Sequence, residues 1–283
     1  TPTMNYPSDN ITIAGESVLL NCTSTDIDND AIHMGFYGDT TNPPTTLLQN
    51  TTATEYNWTG LVPQNNYWRC IASDNNNSIS QYTTPRTINT VGLYNCSTGN
   101  ATQALALNIT FYAEINKTKF AKVNYKGTFT IWGSNRTINN TQAQVMINVS
   151  NVKYCISPAN ATIYTNAMIE YQKAGYDIRY HLLRNFTLSN TTEHLHLYSL
   201  DIALATGTTI TVLDELDEPM SNVYIKVQRY DVGTDSYYLV DTGRTEDNGQ
   251  DYLYLRHNDV WYRFILERNG EVIYTSNPMK GYS

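Results

Sequence analysis

Two histidines have a spacing that could bind a metal ion. His194 and His196 are one residue apart, so on a β-strand both imidazoles would lie on one face, with Glu193 and Leu195 on the other. The sequence offers no evident third ligand, and two solvent-facing histidines explain the pattern more simply. We therefore predict no metal site here.

Acidic residues cluster in two turns. Aspartates alternate through Asp26–Asp30 as in calcium loops, but Ala31 and Tyr37 stand where such a loop needs a glycine and an acidic residue. Four further acidic residues lie within Asp214–Glu218. Calcium is the alternative in both places, and solvated turns are the preferred interpretation.

Enzyme motifs are lacking in the sequence. It has no Gly-x-Ser-x-Gly, no His-Glu-x-x-His and no phosphate-binding glycine loop. The 23 tyrosines, including Tyr237-Tyr238 and Tyr252-x-Tyr254, could stack on carbohydrate, although cross-strand packing is the simpler interpretation. We predict no enzymatic activity, and no cofactor other than covalent N-glycans.

Fifteen Asn-x-Ser/Thr sequons are the candidate modification sites. Several of these sequons lie in segments where polar and apolar residues alternate, as in a strand with one face in solvent. These segments are Asn10–Ile13, Asn108–Phe111, Asn148–Ser150 and Asn185–Leu188. Sugar on such faces would leave the core undisturbed, so we predict an exported, N-glycosylated protein. The sequons are at Asn10, Asn21, Asn50, Asn57, Asn76, Asn95, Asn100, Asn108, Asn116, Asn135, Asn139, Asn148, Asn160, Asn185 and Asn190.

The four cysteines allow three pairings. Sequential pairing, Cys22 with Cys70 and Cys96 with Cys155, keeps each bridge within one predicted domain. Each would close a loop of roughly 50 to 60 residues and stabilise the fold by about 4 kcal/mol in the chain-entropy model. Such bridges persist in oxidising compartments, or in some hyperthermophiles.

The strand within Leu61–Asp74 organises the first domain, predicted for residues 1–90. Cys70 alternates with Trp68 in this strand, and Cys22 alternates with Leu20 in an earlier one, as expected for a sandwich pinned by a disulfide.

The segment Asn57–Asp74, which contains Tyr67-Trp68-Arg69, and the closing strand Tyr82–Ile88 resemble fibronectin type III and related immunoglobulin-like modules of microbial surface proteins. Phe36 stands where an immunoglobulin domain often has its core tryptophan. The resemblance therefore implies a sandwich without a strand-by-strand assignment.

A second β-rich domain is predicted for residues 91–205. Its period-two alternation, clearest from Val123 to Ile131, is typical of strands with one wet face. The predicted strands are Gln103–Tyr112, Phe120–Trp132, Gln142–Ser150 and Met168–Leu188.

The third domain is predicted for residues 206–283. Its strands are Thr208–Asp214, Asn222–Tyr230, Tyr252–Leu255, and Trp261–Glu267 paired with Glu271–Thr275 through Asn269-Gly270. This order of strands and turns resembles the carboxypeptidase-regulatory-like, transthyretin-like sandwich, which implies a spacer or stackable element. Only five asparagines and no sequon follow residue 190, so we expect this end to contact another subunit or domain.

The composition of the chain argues against two kinds of binding partner, nucleic acid and the interior of a membrane. The net charge of −8 and the lack of a Lys/Arg cluster argue against nucleic acid. No apolar stretch of 18 residues is present, so we predict no membrane span. The chain begins at Thr1, and we expect a mature product from which a leader has been removed.

The sequence as a whole predicts an all-β chain of tandem β-sandwich domains, found outside the cell or on its surface. The predicted role is the repeating subunit of a surface filament or layer that self-associates through sandwich contacts or strand addition. Ile11–Leu20 and the tail after Gly270 are the candidate strands. The alternative is an adhesin, viral spike or receptor ectodomain that binds a host or cell-surface glycan or protein. The density of sequons resembles archaeal surface proteins.

Overall fold

The computed structural model describes residues 1–26, 31–74, 80–96, 103–134, 136, 139–257 and 259–281. In these residues every helix or strand element is a β-strand, which confirms the predicted all-β, tandem-sandwich class. No helix in the described ranges is long and apolar enough to cross a membrane. Three apolar clusters form the core, and we call the parts of the chain around them the first, second and third units.

The first unit is a sandwich of two sheets. Its strands are β1 (Thr3–Tyr6), β2 (Ile11–Ala14), β3 (Ser17–Thr23), β4 (His33–Asp39), β5 (Leu47–Thr51), β6 (Glu55–Thr59), β7 (Asn65–Ser73) and β8 (Arg86–Asn95). One sheet has the order β1-β3-β6, and the other contains β5-β4-β7-β8 with β2 parallel to β8. Leu20, Phe36 and Trp68 are fully buried between the two sheets, as the alternation predicts.

The second unit adds seven strands. They are β9 (Ala104–Ala113), β10 (Val123–Trp132), β11 (Asn139–Val149), β12 (Asn151–Ser157), β13 (Ile163–Gln172), β14 (Arg179–Leu188) and β15 (Glu193–Ser199). A four-stranded sheet of order β11-β10-β13-β14 packs on β12, β9 and β15. The buried hydroxyls of Tyr125 on β10 and Tyr154 on β12 are hydrogen-bonded at 2.9 Å, which joins the two layers.

Strand β8 belongs to both of these units. Its first half pairs with β7 and its second half with β12, so one eight-stranded sheet runs through both, in the order β15-β9-β12-β8-β7-β4-β5 with β2 alongside β8. A Cβ at Gly133 would come within 2.6 Å of the carbonyl oxygen of Thr12, which shows how closely the units approach. Residue 90, the predicted domain boundary, lies inside β8.

The third unit is a smaller sandwich. Its strands are β16 (Thr206–Thr211), β17 (Tyr224–Asp231), β18 (Ser236–Arg244), β19 (Gln250–Leu255), β20 (Trp261–Arg268), β21 (Glu271–Thr275) and β22 (Met279–Lys280). The pair β16-β19 faces a sheet of order β18-β17-β20-β21, in which β22 also pairs with β20. The predicted β20–β21 hairpin is confirmed, and Asn269 (φ 53°) and Gly270 (φ 91°) have the left-handed conformation of its turn.

Two expectations about strands are wrong. Met168–Leu188 is two strands, because the chain reverses at Gly175, whose φ of +84° favours glycine. Ile11–Leu20 is not one exposed edge strand, since it contains two strands: β2, which pairs with β8 alone and has buried Ile11 and Ile13, and β3, which lies between β1 and β6.

Candidate functional site

Both predicted disulfides are present. Cys22 on β3 and Cys70 on β7 are bonded across the first sandwich and fully buried. Cys96, directly after β8, is bonded to Cys155 on β12 within one sheet, where the Cys96 amide also donates to the Lys153 carbonyl at 3.1 Å. The first bridge therefore joins two sheets, and the second fixes the register of neighbouring strands.

The candidate metal ligands do not come together. His194 and His196 lie exposed on β15, where His194 Nδ1 is 3.4 Å from Asn108 Nδ2 and the His196 ring packs against Tyr112. Among the described residues no group of three His, Cys, Asp or Glu side chains is arranged to hold a metal ion. Residues 28 and 30 of the aspartate-rich turn lie outside the described ranges.

The second acidic turn satisfies its own backbone. Asp214 Oδ1 accepts hydrogen bonds from the amides of Leu216 (2.8 Å) and Glu218 (3.0 Å). The carboxylate therefore caps a local turn, as expected for a solvated loop.

Most of the described sequon asparagines are exposed. Two are only half-buried: Asn21, whose amide group is hydrogen-bonded to Asn5 and Glu55, and Asn108, whose sequon partner Thr110 is buried because β9 is an interior strand. The face of Asn108 is thus not the open one expected from sequence. Asn76, Asn100 and Asn135 lie outside the described residues. The exposed ones are Asn10, Asn50, Asn57, Asn95, Asn116, Asn139, Asn148, Asn160, Asn185 and Asn190.

Sequons lie on the outermost strands of the sheets in the first two units, although part of the β14 edge contacts β18 through Thr242. Edge strands β5, β6 and β14 carry Asn50, Asn57 and Asn185, and edge strand β11 carries both Asn139 and Asn148. Among the described edges of these units, β1, β2 and β15 contain no sequon asparagine, and neither does any strand of the third unit. Unpaired strand edges are sites of association unless they are covered.

A buried group of charges, the junction cluster, lies between the second and third units. The Arg179 guanidinium on β14 donates from Nε to Asp177 Oδ2 at 2.7 Å, and its Nη2 lies 2.7 Å from Glu114 Oε2. Asp241 on β18 of the third unit approaches the same Nε at 3.7 Å. These four side chains are at most 4 % exposed.

The junction cluster fixes the third unit against the second through backbone groups as well. Arg179 donates to the carbonyl oxygens of Val240 on β18 (2.9 Å) and Tyr254 on β19 (3.1 Å). Close by, Thr242 Oγ1 accepts the Leu182 amide at 2.8 Å. The Arg179 side chain thus connects β14 to the backbone of β18 and β19, where no described strands of the two units are paired.

Glu114, directly after β9, is held by three side chains of the third unit. Its Oε1 accepts from the Tyr262 hydroxyl (3.0 Å) and from Arg229 (3.2 Å), while its carbonyl oxygen accepts from Arg229 (3.1 Å) and the Tyr238 hydroxyl (3.0 Å). A buried carboxylate with several donors is well satisfied, so this contact gives a defined relative orientation of the units.

Burial and mutual repulsion shift the pKa values of the acidic groups in the junction cluster. Burial raises the pKa of Asp241 to about 8 in spite of Arg179, and burial also raises the pKa of Asp177. Burial alone would lower the pKa of Arg179, but the surrounding carboxylates hold it well above its ordinary value. With Asp241 protonated at neutral pH, the carboxylates of Glu114 and Asp177 face the guanidinium groups of Arg179 and Arg229. The cluster then has two negative and two positive charges.

An open groove runs beside the junction cluster, and we call it the junction groove. Its volume is about 660 Å³, within the range of ligand pockets. Its floor and one wall come from β10, β13 and β14, and its other wall from β17, β18 and β19. Tyr180 and Tyr252 are 44 % and 58 % exposed there, and Arg244, Asp251 and Asn166 add polar groups.

The C-terminal hairpin ends in a bare edge. Strand β21 pairs only with β20, so its outer backbone groups have no partner strand in the described residues. All five of its residues are exposed, among them Val272, Ile273 and Tyr274. An exposed edge with apolar side chains is suited to pair with another strand.

The junction cluster is a feature that sequence reasoning missed. Glu114, Asp177, Arg179 and Asp241 are single charged residues in otherwise ordinary strand patterns. The available signal was an arginine at an inward position, since alternation along β14 places Arg179 on the same face as Leu183.

The fold and these sites define an all-β protein of tandem immunoglobulin- and fibronectin-like sandwiches with two disulfides, of a type common outside cells. No protein-family model matches the sequence, and no curated protein matches it.

Similar solved structures include fibronectin(III)-like modules of CbhA from Clostridium thermocellum, with 9 % identity, TM-score 0.29, and coverage of 71 % of this chain and 94 % of that one. A marsupial T cell receptor has 8 % identity and TM-score 0.24, covering 99 % and 98 %. A streptococcal ancillary pilin has 6 % identity and TM-score 0.23, covering 82 % and 75 %. The likeness extends to sandwich architecture alone.

Proposed function

We propose that this chain is a non-enzymatic, N-glycosylated structural subunit of the cell exterior that self-associates through the edge of β21. The observation that carries the proposal is the outer edge of β21, which has no partner strand in the described residues and lies in the third of the chain that has no sequon. Pairing of this strand with an edge of a second copy would extend the sheet of the third unit.

The joints between the units support a load-bearing role. The first two units share the continuous strand β8, and the junction cluster locks the third unit to the second. Flexible linkers would be the ordinary connection between domains. A chain without such linkers between its units is suited to be a stiff repeating element.

Glycans on the other edges would direct assembly. With sugar on β5, β6, β11 and β14, the sugar-free edge farthest along the chain from β21 is β1. Pairing of β21 with β1 of the next copy is heterologous and propagates into a filament, whereas pairing of β21 with itself closes a dimer. The filament is our proposal.

The test replaces Val272 and Tyr274 with lysine in one variant. Both side chains are exposed, so circular dichroism and thermal unfolding should stay as in the wild type, while a charged edge should repel a partner strand. Negative-stain microscopy of the secreted protein should then show dispersed particles in place of filaments. Leu216→Lys is the matched control, because Leu216 is 81 % exposed in the same unit and remote from β21 in sequence.

Filaments in the double variant would contradict assembly through β21. Thr3→Lys on β1 tests the other half of the contact without deleting Met4, which is buried in the core of the first unit. If Thr3→Lys leaves the filament intact while the β21 variant abolishes it, the partner edge is another one. A wild-type protein that sediments as a closed dimer would refute the filament.

A second candidate function is ligand recognition by an adhesin, viral spike or receptor ectodomain. The observation that favours it is the junction groove, because exposed tyrosines and polar groups line a concavity of ligand size. This function predicts a monomer in solution that binds a glycan or protein, with no dependence on β21.

A further inference from the structure

The junction groove has the chemistry of a binding site as well as the size of one. Tyr180 and Tyr252 both lie on sandwich strands and expose much of their rings to the groove, unlike the buried strand residues Tyr125, Tyr154 and Tyr171. An aromatic ring with one wet face offers apolar area and a hydroxyl at low cost in conformational entropy.

Hydrogen-bonding groups accompany these rings. Asp251 lies beside Tyr252; its Oδ1 accepts the Tyr252 amide at 2.9 Å, and the backbone amide of Arg244 also hydrogen-bonds to its carboxylate, of which Oδ2 is buried. That oxygen lies where a Cβ on Gly243 would stand, at 1.7 Å, so glycine is required for the carboxylate to sit there. The half-buried Asp251 carboxylate adds an acceptor to the lining of the groove, which suits a ligand that supplies hydroxyls.

Cationic groups lie at one end of the groove. Tyr224 and Arg244 are directly paired across β17 and β18, and the Arg184 guanidinium lies 4.8 Å from the centre of the Tyr224 ring. Arg244 is exposed and lines the groove. Guanidinium groups donate several hydrogen bonds in one plane, which suits vicinal hydroxyls and carboxylates.

We infer that the junction groove binds an oligosaccharide. The apolar faces of sugar rings would lie on Tyr180 and Tyr252, their hydroxyls would donate to Asp251, and Arg244 would donate to their oxygens. A peptide strand would instead need a bare sheet edge along the groove, and the edge of β14 is already engaged with β18 through Thr242. The inference does not depend on self-association through β21.

The saccharide has two possible sources. One is a glycan tethered to this chain: the Asn185 amide donates at 2.7 Å to Asn166, which lines the groove, so the sequon lies at the end of the groove itself. The other is a saccharide on another molecule or surface. Asn185→Gln separates them, because it removes the tethered glycan and leaves the groove intact.

The experiment uses the full chain, enzymatically freed of N-glycans, and a panel of di- to tetrasaccharides of mannose, N-acetylglucosamine, galactose and uronic acids. Calorimetry and saturation-transfer NMR should detect binding by at least one of them. Tyr252→Ala and Tyr180→Ala should each weaken it about tenfold, as expected when one stacking partner is lost. Tyr274→Ala, which removes an exposed ring outside the groove, should leave affinity unchanged.

Either of two results would overturn the inference: no member of the panel binds, or binding survives in the Tyr180→Ala, Tyr252→Ala double variant. Comparison of glycosylated wild type with glycosylated Asn185→Gln assigns the source. Binding that appears only in Asn185→Gln shows that the tethered glycan fills the groove, and equal binding in both shows that the groove is open to saccharides on other molecules.

Discussion

Asp241 gives the junction cluster a pH dependence that can be measured. Its pKa is raised from 3.8 to about 8, first of all because the group is buried. Between these values the folded protein binds a proton that the unfolded chain has released. The contribution of Asp241 to stability must therefore fall as pH rises from about 4 to about 8, and be constant on either side of that window. His181 acts in the opposite direction, because burial lowers its pKa to about 4 and its contribution to stability rises between about pH 4 and pH 6.5. The difference between wild type and an Asp241 variant isolates the effect of Asp241.

The magnitude follows from the size of the shift. About four pKa units correspond to an upper limit on the order of 5 kcal/mol for this one group. The charges in the cluster influence one another's pKa values: those of Asp241 and its partners depend on Arg179, Asp177, Glu114 and Tyr171. The pKa of Asp177 is also raised, so its contribution to stability changes with pH in the same direction as that of Asp241. Water entry and local rearrangement relieve part of the cost, so we expect Asp241 alone to contribute a loss of at least about 2 kcal/mol between pH 5 and pH 8.

The assay is urea unfolding of wild type and Asp241→Asn at pH 5, 6.5 and 8. The neutral amide resembles the protonated carboxyl, so the variant should match wild type within about 1 kcal/mol at pH 5 and exceed it at pH 8. Asp247→Asn, at an exposed acid of the same unit, is the control and should keep the wild-type slope. The difference in stability between Asp241→Asn and wild type should grow from pH 5 to pH 8, and a difference that stays constant across this range would refute the reasoning.

Three further predictions concern other contacts. Arg179→Met should lower the free energy of unfolding by about 3–5 kcal/mol in urea titrations, because buried carboxylates lose their partner; a loss below about 1 kcal/mol would contradict the junction cluster. Gly133→Ala should cost about 1–3 kcal/mol in thermal unfolding, since its Cβ would meet the Thr12 carbonyl, and an unchanged midpoint would show that the units separate easily. Glycopeptide mapping should find Asn21 and Asn108 less occupied than the exposed sequons, and the reverse order would mean that these faces are open.

Local patterns in the sequence predicted much of the fold. Alternation around Cys22 and Cys70 placed both cysteines in facing strands, and Asn269-Gly270 specified a hairpin because both residues accept left-handed backbone angles. These signals act within a few residues, or through the simple requirement that a buried cysteine needs a partner. They could be found without knowledge of how the sheets are joined.

Local sequence patterns could not predict the features that depend on contacts between distant parts of the chain. Strand β12 follows β11 after the single residue Ser150, so no turn signal separates them. The contact between Glu114 and Arg179 joins residues 65 positions apart (179 minus 114), and neither has a local feature that marks it as buried. The candidate edge at Ile11–Leu20 was wrong for the same reason, because alternation shows which face is buried but not which strand lies alongside.

The two joints between units should respond differently to their surroundings, because different interactions hold them. The joint at β8 consists of backbone hydrogen bonds and apolar packing, with no buried acidic or basic side chain among its paired, described residues. The joint at Arg179 depends on charges, among them Asp241 with its raised pKa. Raising the pH from 5 to 8 should therefore increase hydrogen exchange of amides in β14 and β18 more in wild type than in Asp241→Asn, and leave β8 protected in both, after correction for intrinsic rates. Equal loss of protection at both joints would mean that the chain opens as one cooperative unit, and the third unit could not then bend independently of the other two.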